Sequence, residues 1–467
     1  MRILFASSEV YPYSKTGGLA DVAGALPVAL VREGHEVLVV TPWYGTLNAD
    51  PPPLWIGDVE VPFAGGTVPV GVGTLEADGV RYLFVGHDAF RRERLYSYPD
   101  DMRRFALFTR AVPAAAERVD FLPQLVHAHD WHTGYLPLVL THGWHLPAGF
   151  PGLPSVFTIH NAQHQGVSSM DEAIHWLRLP DSVRQSGMDH FGTASAMQAA
   201  LDFAWKVTTV SPSYAAEIQL PEYGYGLDGT LRHLSHKLVG IVNGLDDSVW
   251  DPAHDPALPQ PYDADDMSGK AAAKEALVTE YGLANLDGPI LGLVSRFADQ
   301  KGIDLLLGAI PALLTHGWRL ALLGAGEPAL EQWARRLATE NPGRVGVRIG
   351  YAEPLAHLVY AGSDALAIPS RFEPCGLSQL IAMRYGTLPV ARATGGLRDT
   401  IRHGETGFLF EHANLDGLLW AAEEARAALA DAHGREMQSL AMRQDFSWDR
   451  SAQRYTVLYR ELVPEAT

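Results

Sequence analysis

The sequence predicts an α/β protein made of two doubly wound parallel-sheet domains facing a central cleft. Three observations predict it. Short apolar runs alternate with segments of helical period along most of the chain, and such alternation implies parallel strands covered by helices. The alternation is broken once, by a Pro- and Asp-rich stretch between Asn243 and Asp266. At 467 residues the chain is too long for one ordinary domain and suits two of about 200 residues each.

In the first half, Met1–Ala6 reads as a strand. Leu19, Val22, Ala23 and Leu26 then recur at i, i+3, i+4 and i+7, one apolar face of a helix that ends near Gly34. A second strand covers Glu36–Thr41. Trp55–Val85 is rich in Val, Gly and short alternations, and predicts an excursion of antiparallel strands. Helix is expected over Asp100–Val119, strand over Gln124–His129, helix over Thr133–His142 and strand over Pro154–His160. Helix Ala196–Trp205 and strand Lys206–Ser211 follow.

Pro252, Pro256, Pro259 and Pro261, interspersed with Asp, then read as linker, which places a domain boundary at residues 245/246. The second half repeats the alternation more cleanly. Strands are expected at Pro289–Val294, Arg319–Leu323, Arg344–Ile349, Ala365–Pro369 and Thr387–Ala391. Helices fall between them at Ile303–His316, Ala329–Glu340, Leu355–Ala361 and Leu377–Tyr385.

Composition narrows the function. With 47% hydrophobic and 19% charged residues the chain has apolar material for two cores. No apolar stretch approaches the roughly 20 residues of a membrane helix. The opening residues carry neither a basic leader nor a small-residue cleavage site, so no secretory signal is expected. One cysteine excludes an internal disulfide and a Cys-based zinc site, and a cytoplasmic enzyme is the expectation. A net charge of −18 argues against nucleic acid or an anionic membrane as partner. A neutral polysaccharide is indifferent to such a surface, and a small phosphorylated ligand needs only a locally positive pocket.

Polar groups cluster at the predicted strand ends, where ligands of doubly wound sheets bind. Lys15, Gly17 and Gly18 lie between the first strand and the first helix. Glycine lets backbone approach a ligand, helix-start amides favour anionic oxygens, and the lysine adds a movable charge. Arg296 and Lys301 sit five apart on a strand-to-helix loop, either as two solvated cations or as a pair reaching one diphosphate. In Pro369–Leu377, Pro374 suits a first helical turn, and the amides of Gly376 and Leu377 offer an anion site. Glu373 is either a helix cap or a group for sugar hydroxyls, or both. Cys375 has no histidine base near it in sequence and reads as a packing or contact residue.

His127 and His129 share a strand face, but their spacing fits no familiar zinc pattern. A polar wall using Asp130 is favoured over a metal. His160 and Asn161 end another strand and point at the cleft. Gly324 and Gly326 match a dinucleotide fingerprint loosely, yet no carboxylate ends the following strand to hold a ribose. Tyr351, at that strand end, offers a ring to a nucleotide base.

Taken together, these residues resemble a known family. Lys15-Thr-Gly-Gly-Leu, His127-Ala-His-Asp-Trp-His, Thr158-Ile-His-Asn, Asn243-Gly-Leu-Asp, Gln300-Lys-Gly-Ile-Asp, Ser370-Arg-Phe-Glu-Pro-Cys-Gly and Thr394-Gly-Gly-Leu-Arg-Asp look like the bacterial glycogen synthases and the related plant starch synthases. The motifs stand in family order and run to about residue 400. The resemblance implies a GT-B fold of two Rossmann-like domains, 1–245 and 246–447, with a last helix in 448–467 returning to the first domain. It implies transfer of glucose from ADP-glucose to the non-reducing 4-OH of glycogen or another α-1,4-glucan, with retention of configuration and without a metal ion or other cofactor.

By similarity, Arg296 and Lys301 neutralise the diphosphate with the Gly376 and Leu377 amides. Lys15 and Gly18 approach the donor from the other domain. Glu373, His160 and Asn243 hold the transferred glucose, Tyr351 stacks on adenine, and Asp130 and Asp21 shape the sugar and acceptor side. Such a site implies closure that excludes water. Two departures are visible. Gln165-Gly166 is followed by Val167 where the family usually has an aromatic, and Ile381 stands where related glycosyltransferases often carry a second Glu. The competing readings are a retaining GT-B transferase using UDP-glucose or another acceptor, a non-catalytic glycan-binding relative, and a nicotinamide dehydrogenase.

Overall fold

A computed structural model of the chain describes residues 1–185, 187–284, 288–350 and 352–463. The chain divides into two compact units, one formed by Met1–Gly244 with the segment from Trp448 onward, the other by Leu245–Ser447.

The first unit is built on strands β1 (Arg2–Ala6), β2 (Glu36–Pro42), β3 (Leu54–Phe63), β4 (Gly66–Ala77), β5 (Val80–Gly86), β6 (Leu125–His129) and β7 (Ser155–Ile159). Three short strands, β8 (Val167–Ser168), β9 (Asp189–His190) and β10 (Thr193–Ser195), form a small sheet of their own, and β11 (Lys206–Thr209) and β12 (Leu238–Gly240) return to the main one. The main sheet runs β12-β11-β7-β6-β1-β2-β5-β4-β3. Strand β1 is central, pairing in parallel with β2 (Ile3 opposite Val37) and with β6 (Ile3 opposite Leu125). Its run Ile3–Ala6 is fully buried, as expected of a strand covered on both faces.

The Trp55–Val85 region is only partly an antiparallel excursion. β3 with β4 and β4 with β5 are antiparallel as expected, but β5 also inserts beside β2 in parallel register. Its segment Tyr82–Val85 is apolar and buried, so β5 joins the core of the sheet instead of its rim.

The helix Gly18–Arg32 packs on this sheet with Leu19, Val22, Ala23 and Leu26 buried. Against it lies the last helix, Trp448–Leu462, whose stripe Trp448, Ala452, Tyr455 and Tyr459 is buried at helical spacing. Polar contacts pin the two. Arg32 pairs with Asp449 at 2.6 Å, and His35 meets the Thr456 hydroxyl at 2.8 Å.

The second unit contains β13 (Ile290–Val294), β14 (Arg319–Gly324), β15 (Val345–Ile349), β16 (Ala365–Ile368), β17 (Leu388–Arg392) and β18 (Phe408–Phe410) in the order β15-β14-β13-β16-β17-β18. Every pairing is parallel. Strand order reverses between β13 and β16, the topological switch point where a crevice opens beyond the strand ends. Helices Ser268–Tyr281, Leu415–Ala428 and Ala432–Met442 extend this unit beyond the elements expected from sequence.

The Pro-rich stretch before Asp266 has no regular structure, yet it is fastened down. Buried Asp255 accepts hydrogen bonds from His357 Nδ1 at 2.7 Å and Tyr385 Oη at 2.6 Å, and Trp250 stacks on His357. Proline and aspartate signalled the absence of helix and strand, not a loose tether. Among the described residues, no helix is long and apolar enough to cross a membrane.

Candidate active site

In the first unit, the loops after β1, β6 and β7 carry the polar groups. The loop after β1 is held from below by Glu9, a residue that the sequence did not single out. Glu9 is 3% exposed. It accepts from the Thr16 backbone amide, the Thr16 hydroxyl at 2.7 Å, the Gly17 amide at 3.3 Å and Tyr96 Oη at 2.9 Å. Burial raises its pKa, and those hydrogen bonds offset only part of the rise. Above this anchor Gly17 is extended and Gly18 begins the helix. A Cβ added at either glycine would meet nothing within 4 Å, so the space over them is open. Lys15 Nζ contacts Asp21 Oδ1 at 2.6 Å and lies 5.1 Å from the Tyr11 ring centroid. Both partners are solvent-accessible, so this pair orients the lysine more than it stabilises the fold.

Asp130 directly follows β6 with φ 54° and ψ 176°, a strained backbone that normally favours glycine. Its Oδ1 accepts from the His160 amide at 2.7 Å, tying the ends of β6 and β7 together. Burial pushes the Asp130 carboxyl up to about 7, against the lowering effect of the His160 and Asn161 amides. His160 is held neutral, its pKa lowered to about 3 by burial. Its Nε2 lies 3.0 Å from Nδ1 of His129. His127 is a lining residue of a different kind. Its Nε2 meets Thr158 Oγ1 at 2.6 Å and its Nδ1 meets Tyr459 Oη at 2.7 Å, so it is consumed inside the core. Asn161 Oδ1 accepts from the Gln163 amide at 3.0 Å and shapes its own turn. Asn243 lies in the loop after β12, 8% exposed, with Oδ1 making no hydrogen bond among the described residues. Among those residues, no three His, Cys, Asp or Glu side chains converge as metal ligands.

In the second unit the loops after β13 and β16 meet at the switch point. Lys301 Nζ lies 2.6 Å from Glu373 Oε2, which also accepts from Ser370 Oγ at 2.9 Å. The Glu373 backbone carbonyl accepts from the Gly396 amide at 3.1 Å, fastening the start of the short helix Gly395–Thr400 to this loop. Arg371 makes a bidentate pair with Asp304 at 2.8 and 2.7 Å, and the Arg371 amide donates to the Gln300 carbonyl. Lys301 is followed by Gly302 at φ 62°, where a Cβ would stand 2.0 Å from the Pro369 carbonyl oxygen. The two loops can approach this closely only with glycine there. Arg296 is exposed, its guanidinium meeting Gln300 Oε1 at 3.5 Å.

One local expectation is corrected. The helix after this loop spans Ser378–Arg384, so Pro374 sits in the loop and not in a first helical turn. Gly376 turns back instead, with φ 77°, and Gln379 Nε2 satisfies the Cys375 and Gly376 carbonyls at 2.9 and 3.0 Å. Cys375 is buried, and Leu377 is the residue just before the helix. The Gly324/Gly326 pair has a packing reason. A Cβ on Gly326 would lie 2.2 Å from the Phe297 carbonyl oxygen, because the loop after β14 bridges the loop after β13. Tyr351 lies outside the described residues.

Comparisons with known proteins agree with this architecture. Sucrose-phosphate synthase from Thermosynechococcus elongatus shares the fold, with a TM-score of 0.64 at 20% identity over the whole of both chains. Residues 288–427 match the family described as glycosyl transferases group 1. The chain is a glycosyltransferase of the two-domain GT-B class. Residues 2–233 match the starch synthase catalytic domain family. The glycogen synthase of Deinococcus radiodurans is 47% identical over 99% of this chain and 100% of its own length. That of Thermus thermophilus is 45% identical over the same shares. The catalytic domain of starch synthase IV from Arabidopsis thaliana, solved with ADP and acarbose, has a TM-score of 0.91 at 34% identity, covering 99% of both chains. The chain belongs to the glycogen and starch synthase family of glucosyltransferases.

Proposed function

We propose that this protein elongates glycogen in the cytoplasm, transferring glucose from ADP-glucose to the non-reducing 4-OH of an α-1,4-glucan with retention of configuration. The observation that carries the reading is the Lys301–Glu373 pair at the switch point of the second unit, in a chain that matches glycogen synthases from end to end. An ammonium has three donors. Glu373 takes one, which leaves Lys301 two for the oxygens of a departing diphosphate. Arg296, exposed and fork-shaped, supplies the second cation, and the Gly376 and Leu377 amides lie on the same loop as Glu373. A cation fixed before the reaction, as Lys301 is by Glu373, stabilises the charge that develops on the leaving group without reorganising. Glu373, nearly buried, holds sugar hydroxyls. On the first unit, Lys15, Gly17 and Gly18 serve the donor, while Asp21, Asp130, His160, Asn161 and Asn243 serve the sugar and acceptor. Cys375, buried, is a packing or contact residue, and adenine recognition is assigned to Tyr351 from the family resemblance.

The test is a donor comparison on the purified full-length chain: ADP-glucose against UDP-glucose, with glycogen as acceptor, with and without EDTA. The expected result is ADP release and α-1,4-chain growth that survive the chelator. A preference for UDP-glucose, or no transfer from either donor, overturns the assignment.

A further inference from the structure

His129 takes no part in the roles assigned above, yet it makes the single side-chain hydrogen bond of His160 among the described residues. It is fully buried at the end of β6, between the Phe5 ring at 4.1 Å and the His127 ring at 4.0 Å. Its Nδ1 faces His160 Nε2 at 3.0 Å, and its Nε2 is buried with no hydrogen-bond partner among the described residues. Only one of the two facing nitrogens can carry the shared proton, so two arrangements compete. If His160 donated, His129 would have to keep its own proton on Nε2, leaving a buried N–H with nothing to receive it. If His129 donates from Nδ1, its Nε2 is left as a bare lone pair. An orphaned buried donor is the rarer and costlier defect of the two.

We propose that His129 is a positioning residue: it donates from Nδ1 to His160 Nε2 and thereby fixes His160 as the Nδ1–H tautomer. This use of His160 rests on the function proposed above. The consequence is directional. His160 Nδ1 makes no hydrogen bond among the described residues and is not among the sealed polar atoms, so it is an N–H donor facing outward from the strand end. It suits an acceptor oxygen of the bound sugar and could not serve as a proton acceptor there. The His160 backbone is already fixed by the hydrogen bond its amide donates to Asp130, and His129 completes the arrangement by fixing ring and proton. The neutral state of both imidazoles, each lowered by burial, is compatible with a single shared proton.

The experiment is 15N NMR of histidine-labelled full-length protein, with the His160 ring signals identified by their absence in His160→Ala. The expected wild-type signature is a protonated-type Nδ1 and a bare-type Nε2. In His129→Leu the donor is gone; the His160 ring should shift toward the Nε2–H tautomer, and kcat should fall roughly tenfold to a hundredfold with a smaller change in KM. His129→Asn places an amide N–H where Nδ1 was and should restore both tautomer and kcat. A wild-type Nε2–H signature, or an unchanged tautomer in a folded His129→Leu, overturns the proposal. The wild-type spectrum decides even if the variants do not fold. It also decides if the protein proves not to transfer glucose, because the tautomer is read without turnover.

Discussion

Lys301 Nζ and Glu373 Oε2 stand 2.6 Å apart, joining loops that are 72 residues apart in sequence and adjacent only because β13 and β16 pair. Their side chains are 20% and 8% exposed, so the pair is largely withdrawn from water. Replacing Lys301 by Ala should cut kcat by two or more orders of magnitude and also leave a nearly buried carboxylate unpaired, at a cost of about 1–3 kcal/mol. The double variant Lys301→Ala/Glu373→Gln should recover most of that stability in urea unfolding while activity stays lost. Activity near wild type in Lys301→Ala would remove the lysine from the chemistry.

Glu9 touches four donors of the glycine loop and its support. Glu9→Ala deletes all four acceptor contacts and should lower both thermal stability and kcat/KM, the latter roughly tenfold or more as the Lys15 loop loses its position. Glu9→Gln keeps an acceptor for the amides and an N–H for the hydroxyl oxygens, so it should remain close to wild type. Equal losses in the two variants would show that charge, not loop support, is what Glu9 supplies.

The pH dependence of stability should carry a contribution from Asp130. Its carboxyl is raised from 3.8 to about 7 in the folded chain by burial, so the folded state holds its proton more tightly than the unfolded state does. The stability tied to that proton is fully present below about 4 and is lost as pH rises through about 7. Asp130→Asn, which keeps the size of the side chain and still accepts from the His160 amide, should erase that slope. The urea midpoint of the variant relative to wild type should therefore rise between pH 4 and pH 8. A constant difference across this range would contradict the buried-carboxyl argument.

Gly302→Ala would place a methyl 2.0 Å from the Pro369 carbonyl on a backbone with φ 62°. The loops bearing Lys301 and Ser370 would have to separate. The expected result is a loss of about 2–4 kcal/mol in unfolding free energy together with a large fall in kcat. A crystal structure of the variant with an undisturbed Lys301–Glu373 distance would refute the coupling.

Much of the architecture was legible because parallel strands buried on both faces leave an unmistakable record. Ile3–Ala6, Ile290–Val294 and Arg319–Leu323 are apolar runs of the right length between helix-period segments. β12 and β18 were missed because three-residue strands are too short to show a period. The segment before Asp266 misled in one respect. Proline reports on local backbone, whereas the burial of Asp255 against His357 and Tyr385 is a contact more than a hundred residues away in sequence.

The same division holds at the site. Residue type and position at strand ends marked out Lys15, Asp130, His160, Arg296, Lys301 and Glu373 from sequence alone, because loops beyond parallel strands are where a doubly wound sheet presents polar groups. Glu9 gave no such signal, and His129 entered only through a metal pattern that its spacing does not fit. Glu9 is one acidic residue in a loop, and His129 one histidine on an apolar strand. What each does depends on which atoms the fold brings within 3 Å or so of it, and hydrogen-bond geometry at that scale is set by tertiary packing. The Asp130 and His160 pKa values follow the same rule, since desolvation exists only once the surrounding residues have closed around the group.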